Sequence, residues 1–119
     1  VRELGYVTDL ENVYRAADFT VLASAYEPFG LVGVESVLCG TPVVLGDNAG
    51  CAEVIGPQAQ LPFSVAQPES LEAAVHAAVS RWQTGEHRLA SPAQHLGYDP
   101  SVASHIQALR QIVESVAAA

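Results

Sequence analysis

Two carboxylates beside a glycine-containing loop are the residues of this sequence best placed to do chemistry. They lie in the segment EPFGLVGVESVLCGTPVV, residues 27–44, with Glu27 in a Pro/Gly loop and Glu35 in the apolar run that follows. The pattern predicts a loop, a helix, a turn at Gly40 and a strand. Because ligands of open α/β sheets bind where loops lead from strand ends into helices, the two carboxylates can face one pocket.

An independent physical argument supports Glu35 as a ligand-binding residue. It lies among apolar residues on a helix predicted at about residues 30–39, where a buried carboxylate without a partner is costly. At 100° per residue it shares a face with Leu31 and Val32, toward the helix N-terminus, so a ligand at that end is within its reach. The alternative is that Glu35 faces water on the outer side of the helix.

The elements that must position these carboxylates alternate between strands and helices. Apolar runs predict strands at residues 1–4, 19–24, 43–45 and 60–65. Apolar residues at helical spacing predict helices beginning after Thr8 or Asp9, at Gly30, at Cys51, at Pro68, and at the Asp99-Pro100 pair, the last covering residues 100–117. The run FTVLAS has no polar face, which is typical of a strand buried on both faces. The alternation predicts an α/β fold with a Rossmann-like, three-layer parallel sheet.

The charge balance limits the partners of this chain. Its 119 residues carry thirteen carboxylates, five arginines and no lysine, for a net charge of −8. Nucleic acids and anionic membrane surfaces require a basic patch, so we expect the chain to bind neither. An anionic ligand would have to be held by backbone amides or by residues outside this chain.

The other reactive side chains carry weaker signals. Both cysteines lack metal-ligand spacing and are predicted to be buried free thiols. No metal site is expected, because the four histidines also lack such spacing and are interpreted as structural or surface residues. Glu53 is expected to bind local amides, with contact to a ligand as the alternative. Ser24 is equally compatible with capping the loop and with contacting a substrate. The residues concerned are Ser24, Cys39, Cys51, Glu53, His76, His87, His95 and His105.

No apolar run approaches the roughly 18 residues that a membrane-spanning helix needs, and no basic segment precedes an apolar one as in a signal peptide. The sequence begins at Val1 and not at a methionine. We therefore expect it to be a piece of a longer protein.

The motif around Glu27 and Glu35 resembles the donor-binding, C-terminal domain of the group 1 retaining glycosyltransferases, which have the GT-B fold. The family signature is Glu-x7-Glu, with Phe-Gly after the first glutamate and Gly-Thr-Pro-Val after the second. Here it is met by Glu27, Phe29-Gly30, Glu35 and residues 40–43. The flanking segments LGYV, YRAADFTVLAS and GCAEVI resemble successive segments of the family in the right order. The resemblance implies that residues 1–119 form one partial domain, the later part of a nucleotide-sugar-binding domain.

The resemblance implies a nucleoside-diphosphate sugar as donor, with no bound metal and no other cofactor. The amides of Phe29, Gly30, Leu31 and Val32 would contact the phosphate and the sugar, because helix N-termini favour anions. Glu27 would act in catalysis, by binding a hydroxyl of the transferred sugar and stabilising an oxocarbenium-like transition state. Glu35 would accept hydrogen bonds from the ribose hydroxyls. The alternative for Glu27 is an ordinary solvated loop acid.

The resemblance also implies parts that this chain lacks. The basic pair that grips the diphosphate lies upstream in the family, as does the acceptor domain with its catalytic histidine. We expect the full-length enzyme to be a hexosyl- or similar transferase, and this chain alone to be inactive. The acceptor, a sugar, lipid or small molecule, would be bound by an N-terminal domain outside this chain. A cytoplasmic location is expected, with peripheral attachment at the cytoplasmic membrane face left open.

Two other functions remain compatible with this pattern. One is a non-hydrolysing nucleotide-sugar epimerase, which shares the GT-B architecture, although Phe-Gly between the glutamates favours the transferase. The other is a non-catalytic binding or scaffolding module that kept the fold.

The strand order leads to a further expectation. Rossmann-like halves commonly run 3-2-1-4-5-6, and by resemblance residues 1–4 form the third strand and FTVLA the fourth. The first two strands are absent, so FTVLA would have a bare apolar edge, the kind that pairs with other chains. We therefore expect the isolated chain to self-associate, or to pair with a missing segment, along FTVLA.

Overall fold

The computed structural model describes residues 1–118, which form a three-stranded parallel sheet with helices on both faces. The strands are β1 (Thr20–Leu22), β2 (Val43–Gly46) and β3 (Gln60–Phe63), paired in the order β1-β2-β3. The α-helices are α1 (Leu10–Ala16), α2 (Leu31–Leu38), α3 (Glu69–Gln83) and α4 (Val102–Ala117), and two 3-10 turns cover Gly50–Glu53 and Pro92–His95. The predicted α/β class and the parallel, Rossmann-like sheet are confirmed.

The side chains of the central strand β2 pack into apolar clusters on both faces of the sheet. Val43 and Leu45 join the apolar cluster beneath α2, which includes Val37. Val44 points the other way, into the cluster that contains Ala78 of α3. Because successive side chains of a strand alternate between faces and both faces are covered, all four residues of β2 are buried.

Strand β1 is less covered than its apolar sequence predicts. Helix α3 packs mainly on β3 and β2 and leaves β1 less covered. An open cavity of about 360 Å³ results, lined in part by Val21, Val75, Val79 and Trp82. Val21 is 52% exposed, Ala23 is also exposed and the other four residues of FTVLAS are half-buried, so the expectation that this run is buried on both faces is wrong.

The N-terminal segment also departs from its predicted structure. Residues 1–4 form no strand and are exposed, because no neighbouring strand is present to receive their backbone hydrogen bonds. The first helix begins where the sequence predicts. Asp9 is its cap, since its carboxylate accepts a hydrogen bond of 3.3 Å from the Asn12 amide.

Two other predicted helices differ in type or in their first residue. The helix expected from Cys51 to Ile55 is the 3-10 turn Gly50–Glu53. The last helix begins at Val102, because the hydroxyl of Ser101 caps it. Asp99 was the predicted cap, but its carboxylate instead accepts a hydrogen bond of 2.9 Å from the Ser101 amide and holds the turn that precedes the helix.

Helix α4 leaves its apolar stripe in contact with solvent. It buries none of its residues in the described part of the chain. Its exposed large apolar side chains are Val102, Ile106, Leu109, Ile112, Val113 and Val116. No helix among residues 1–118 combines the length and apolar character needed to cross a membrane.

Candidate functional site

The loop that carries Glu27 is held by the turn after β2. The Cys51 amide donates a hydrogen bond of 2.6 Å to the carbonyl oxygen of Phe29. At Gly50, a Cβ atom would overlap the carbonyl oxygen of Pro28, so only glycine allows this close approach of two backbones. The loop therefore takes its shape from a turn more than twenty residues away in sequence.

Asn48 holds the start of the same loop. Its side-chain amide donates to the carbonyl oxygens of Ser24 and Ala25, at 3.1 and 2.9 Å. Asn48 lies in a segment rich in Gly, Asp and Asn, residues 46–50, which is typical of a turn. The position of that turn, after the strand next to β1, is the signal that could have identified it.

Gly30 forms the junction between the loop and α2. It adopts a left-handed φ of 87° and opens the helix without a side-chain cap, and the first turn contains no acidic residue. A helix N-terminus of this kind presents free amides and a partial positive charge. A Cβ at Gly30 would lie 2.8 Å from Leu22 and 3.1 Å from the Cys51 sulfur, so Gly30→Val would distort the loop whatever the loop binds.

The side chains around this N-terminus are accessible. Phe29, Leu31 and Val32 are all exposed, Leu31 to 64%. Glu27 is half-buried, and its Cγ lies 3.2 Å from where a Cβ on Gly30 would be. The structure thus brings five of the six predicted site residues to the start of α2.

Glu35, the sixth, lies about one helical turn further along α2. Its side chain is exposed, on the same side of the helix as the exposed Leu31 and Leu38. The hydroxyl of Tyr14 donates a hydrogen bond of 3.0 Å to its Oε2 atom. Tyr14 belongs to α1 and is buried, with 8% of its surface exposed.

Tyr14 is a residue that sequence reasoning missed, because it fitted the apolar spacing of a helix. Its polar end was the available signal, since a buried tyrosine hydroxyl usually needs a partner. Burial first, and then the neighbouring Glu35 carboxylate, raise the pKa of the Tyr14 hydroxyl to about 12. The phenol is therefore a proton donor throughout the physiological range.

A cavity of about 370 Å³ opens between α1 and α2 beside this pair. Its lining residues are Leu10, Glu11, Tyr14, Glu35, Leu38 and Cys39. Glu27 is not among them, so Glu35 is the one of the two motif carboxylates that lines this cavity. Glu35 lies about 7 Å along α2 from Gly30, whereas Glu27 lies in the loop before the helix.

Three of the five arginines have partners outside α2. Arg15 pairs with Glu11 at 2.6 Å, Arg88 approaches Asp18 at 3.8 Å, and Arg81 donates to the carbonyl oxygen of Gln58. The uncapped amides at Gly30 and in the first turn are positive groups that the described structure places at this helix end.

The remaining candidates lie away from this helix end or have structural partners. His87 lies 3.4 Å from Asp18, and the ring of His95 lies 3.1 Å from the Ala90 carbonyl oxygen. Within residues 1–118, no three His, Cys, Asp or Glu side chains come close enough to hold a metal ion. Glu53 is exposed and accepts none of the local hydrogen bonds expected for it there, because the 3-10 turn has no side-chain cap.

The cysteines are both free thiols in the described structure. Cys51 is buried and packs against the start of α2, and this burial raises its pKa. Cys39 is only half-buried, which corrects the expectation that both are buried; it lines the cavity at the end of α2, where the fold leaves it open.

Comparison with known proteins identifies the family. The sequence pattern of the group 1 glycosyl transferases matches residues 1–94. This chain belongs to the group 1 glycosyltransferases. The match covers the whole sheet, the loop with Glu27 and the helix with Glu35, so the predicted family is confirmed on the elements that build the site.

Relatives of this glycosyltransferase chain include a protein named probable transglycosylase from Burkholderia thailandensis. The two are 49% identical over 120 residues, which cover 98% of this chain and 33% of that protein. A D-inositol 3-phosphate glycosyltransferase from Saccharomonospora viridis is 61% identical over 42 residues, 35% of this chain and 10% of that protein. The chain therefore spans about a third of the length of the first relative.

A solved structure confirms the architecture. Sucrose-phosphate synthase from Thermosynechococcus elongatus aligns with a TM-score of 0.65 and 27% sequence identity, over 90% of this chain and 27% of that one. This glycosyltransferase chain thus has the fold of part of a GT-B enzyme.

Proposed function

We propose that this chain is the donor-binding part of a retaining glycosyltransferase that uses a nucleoside-diphosphate sugar. The observation that carries the proposal is the uncapped start of α2 at Gly30, with Glu27 beside it and Glu35 about one turn along the helix. Three kinds of group are needed to hold such a donor: donors for phosphate, an acceptor for the sugar and an acceptor for the ribose. This segment supplies one of each.

The phosphate is bound by the amides at the start of α2. In a chain with a net charge of −8, these amides supply favourable potential for an anion. The amides of Phe29, Gly30, Leu31 and Val32 are the proposed donors. They stabilise the diphosphate as it gains charge on leaving, which is where electrostatic help lowers the barrier.

Glu27 acts on the transferred sugar. It is half-buried beside the helix start, so a sugar joined to a phosphate held there lies within reach of its carboxylate. The carboxylate accepts a hydrogen bond from a sugar hydroxyl and stabilises the positive charge of the oxocarbenium-like transition state. Glu27 is therefore the proposed catalytic residue of this chain.

Glu35 binds the ribose. The separation of about 7 Å along α2 between Gly30 and Glu35 is comparable with the separation of phosphate and ribose in a nucleoside diphosphate. Its exposed carboxylate accepts hydrogen bonds from the ribose hydroxyls.

The rest of the reaction takes place with groups outside this chain. We propose that the acceptor is a sugar, lipid or small molecule held by an N-terminal domain, and that this chain alone does not turn over. The proposed hexosyl or similar transfer uses no metal and no cofactor. The full-length protein is proposed to act in the cytoplasm or peripherally at the cytoplasmic membrane face.

A nucleotide-sugar panel tests this function. The full-length protein is screened by thermal shift against UDP-, GDP- and ADP-sugars and the matching free sugars, and the stabilising donors are then offered with acceptors. We expect one nucleotide sugar to raise the Tm and its free sugar to leave it unchanged, with NMR showing retained anomeric configuration in the product.

Other outcomes would contradict the proposal in different ways. Epimerisation of the donor without transfer would indicate a nucleotide-sugar epimerase. Binding without any turnover, across the acceptor panel, would indicate a non-catalytic module.

A further inference from the structure

The side chain of Glu35 is tied to a residue that the proposed function leaves without a role. Among the hydrogen bonds of residues 1–118, Glu35 accepts one at its carboxylate, from the hydroxyl of Tyr14 to Oε2 at 3.0 Å. Its Oε1 atom has no protein donor there. An exposed glutamate has three rotatable bonds, so fixing it in one orientation costs conformational entropy when a ligand must do so.

Tyr14 is held rigidly enough to fix that orientation. Its ring is buried between α1 and α2, and its backbone carbonyl accepts a hydrogen bond of 2.7 Å from the Thr41 hydroxyl. Thr41 is itself fully buried beside the turn that leads into β2. The phenol therefore projects from a supported backbone position and not from a free surface helix.

The chemistry of the pair leaves one oxygen for a ligand. A carboxylate has two acceptor oxygens, and a neutral phenol donates to one of them without cancelling the charge. The raised pKa of Tyr14 keeps it in this donor form. Oε1 stays a charged acceptor, which makes stronger hydrogen bonds than a neutral one.

We propose that Tyr14 is a positioning residue that orients Glu35 through Oε2 so that Oε1 accepts a hydrogen bond from the ribose of the donor. This inference rests on the proposed function, which assigns the ribose to Glu35. Its consequence is that Tyr14, without touching the nucleotide, strengthens the preference of the site for ribose over a sugar that lacks both hydroxyls.

A purely structural role for Tyr14 predicts something different. If the hydrogen bond only joins α1 to α2, removing it would weaken all nucleotides alike or none. The discriminating quantity is therefore the ratio of affinities for a ribonucleotide and its 2′,3′-dideoxy counterpart.

The experiment is calorimetric titration of the full-length protein with UDP, ADP and GDP and their 2′,3′-dideoxy counterparts. Tyr14→Phe removes the hydroxyl and keeps the buried ring. We expect it to weaken binding of the preferred ribonucleotide by about 3- to 10-fold, the effect of one lost hydrogen bond. Binding of the dideoxy counterpart should be unchanged. Tyr6→Phe, which alters a side chain that is 94% exposed, is the matched control.

A second variant separates failure of this inference from failure of the proposed function. In Glu35→Ala, ribose preference should be lost, and adding Tyr14→Phe should cause no further loss. If Glu35→Ala loses the preference but Tyr14→Phe keeps it, or weakens both nucleotides equally, the positioning role is wrong and the ribose site stands. If Glu35→Ala keeps the preference, the ribose assignment fails and this inference fails with it.

Discussion

The amide nitrogen of Cys51 lies 2.6 Å from the carbonyl oxygen of Phe29 and joins two loops of the site. One loop follows β1 and carries Glu27, and the other follows β2. Because β1 and β2 are parallel neighbours, their carboxyl ends lie at the same edge of the sheet. The turn after β2 thus supports the loop that is proposed to bind the donor.

Gly50→Ala tests this support. Its Cβ would overlap the Pro28 carbonyl oxygen, so the loop must shift. We expect a loss of about 1–3 kcal/mol in the free energy of unfolding, measured by urea denaturation, as for other overpacked sites. Gly97→Ala is the control, because its Cβ would make only an ordinary contact of 3.6 Å with Val54. Equal stability of the two variants would show that the loops are not tightly joined.

The raised pKa of the Tyr14 hydroxyl predicts that the free energy of unfolding decreases in alkali. Burial and the Glu35 carboxylate raise its pKa to about 12, above the ordinary value near 10. The folded state therefore holds a proton that the unfolded state releases, so the contribution of Tyr14 is complete below pH 10 and is lost as pH rises toward 12. Urea unfolding between pH 9 and 11.5 should show a steeper decline for the wild-type chain than for Tyr14→Phe. Parallel curves would contradict the assignment.

The bare edge of β1 leads us to expect self-association of the isolated chain. Val21 is 52% exposed next to an apolar cavity, and no strand among the described residues covers that edge. Light scattering should report a mass above that of a monomer, reduced by Val21→Lys, since charged edges resist pairing. Val102→Lys on α4 is the control. A monomeric wild-type chain, or dissociation by Val102→Lys alone, would refute pairing along β1.

Sequence patterns predicted the fold well where apolar residues are buried by their neighbours. Strand β2 and helix α2 lie close to their predicted bounds, because their apolar side chains find cover on the sheet. Val21 and residues 1–4 departed from prediction for one reason, namely that a strand needs a neighbour and a covering helix. The pattern of apolar residues within one segment does not show whether a neighbouring strand or a covering helix is present.

Only part of the candidate site could be predicted from the sequence, because some of its contacts join distant segments of the chain. The motif placed Glu27, Gly30 and Glu35 on a loop and a helix, which the structure bears out. Tyr14 and Asn48 act through contacts with residues more than twenty positions away in sequence. Such contacts follow from the packing of α1 on α2 and of neighbouring loops, which spacing within one segment cannot specify.

Glu27 is predicted to carry turnover. In the full-length protein, Glu27→Gln keeps the shape of the side chain and removes the charge that is proposed to face the reacting sugar. We expect kcat to fall by about 100- to 1,000-fold, the usual effect of losing one transition-state stabiliser, with little change in nucleoside diphosphate affinity. Steady-state transfer rates and calorimetric titration measure the two quantities. An unchanged kcat would indicate that Glu27 is an ordinary solvated loop acid with no role in catalysis.

The affinity of the full-length Glu35→Ala variant for a nucleoside diphosphate tests the central claim most directly. The claim is that a nucleotide lies along α2, with phosphate at Gly30 and ribose at Glu35. Loss of a charged hydrogen bond, about 1.5–3 kcal/mol, should weaken binding by roughly 10- to 150-fold in calorimetric titration. Affinity equal to that of the wild-type protein, in a variant with an unchanged Tm, would show that the nucleotide does not contact Glu35.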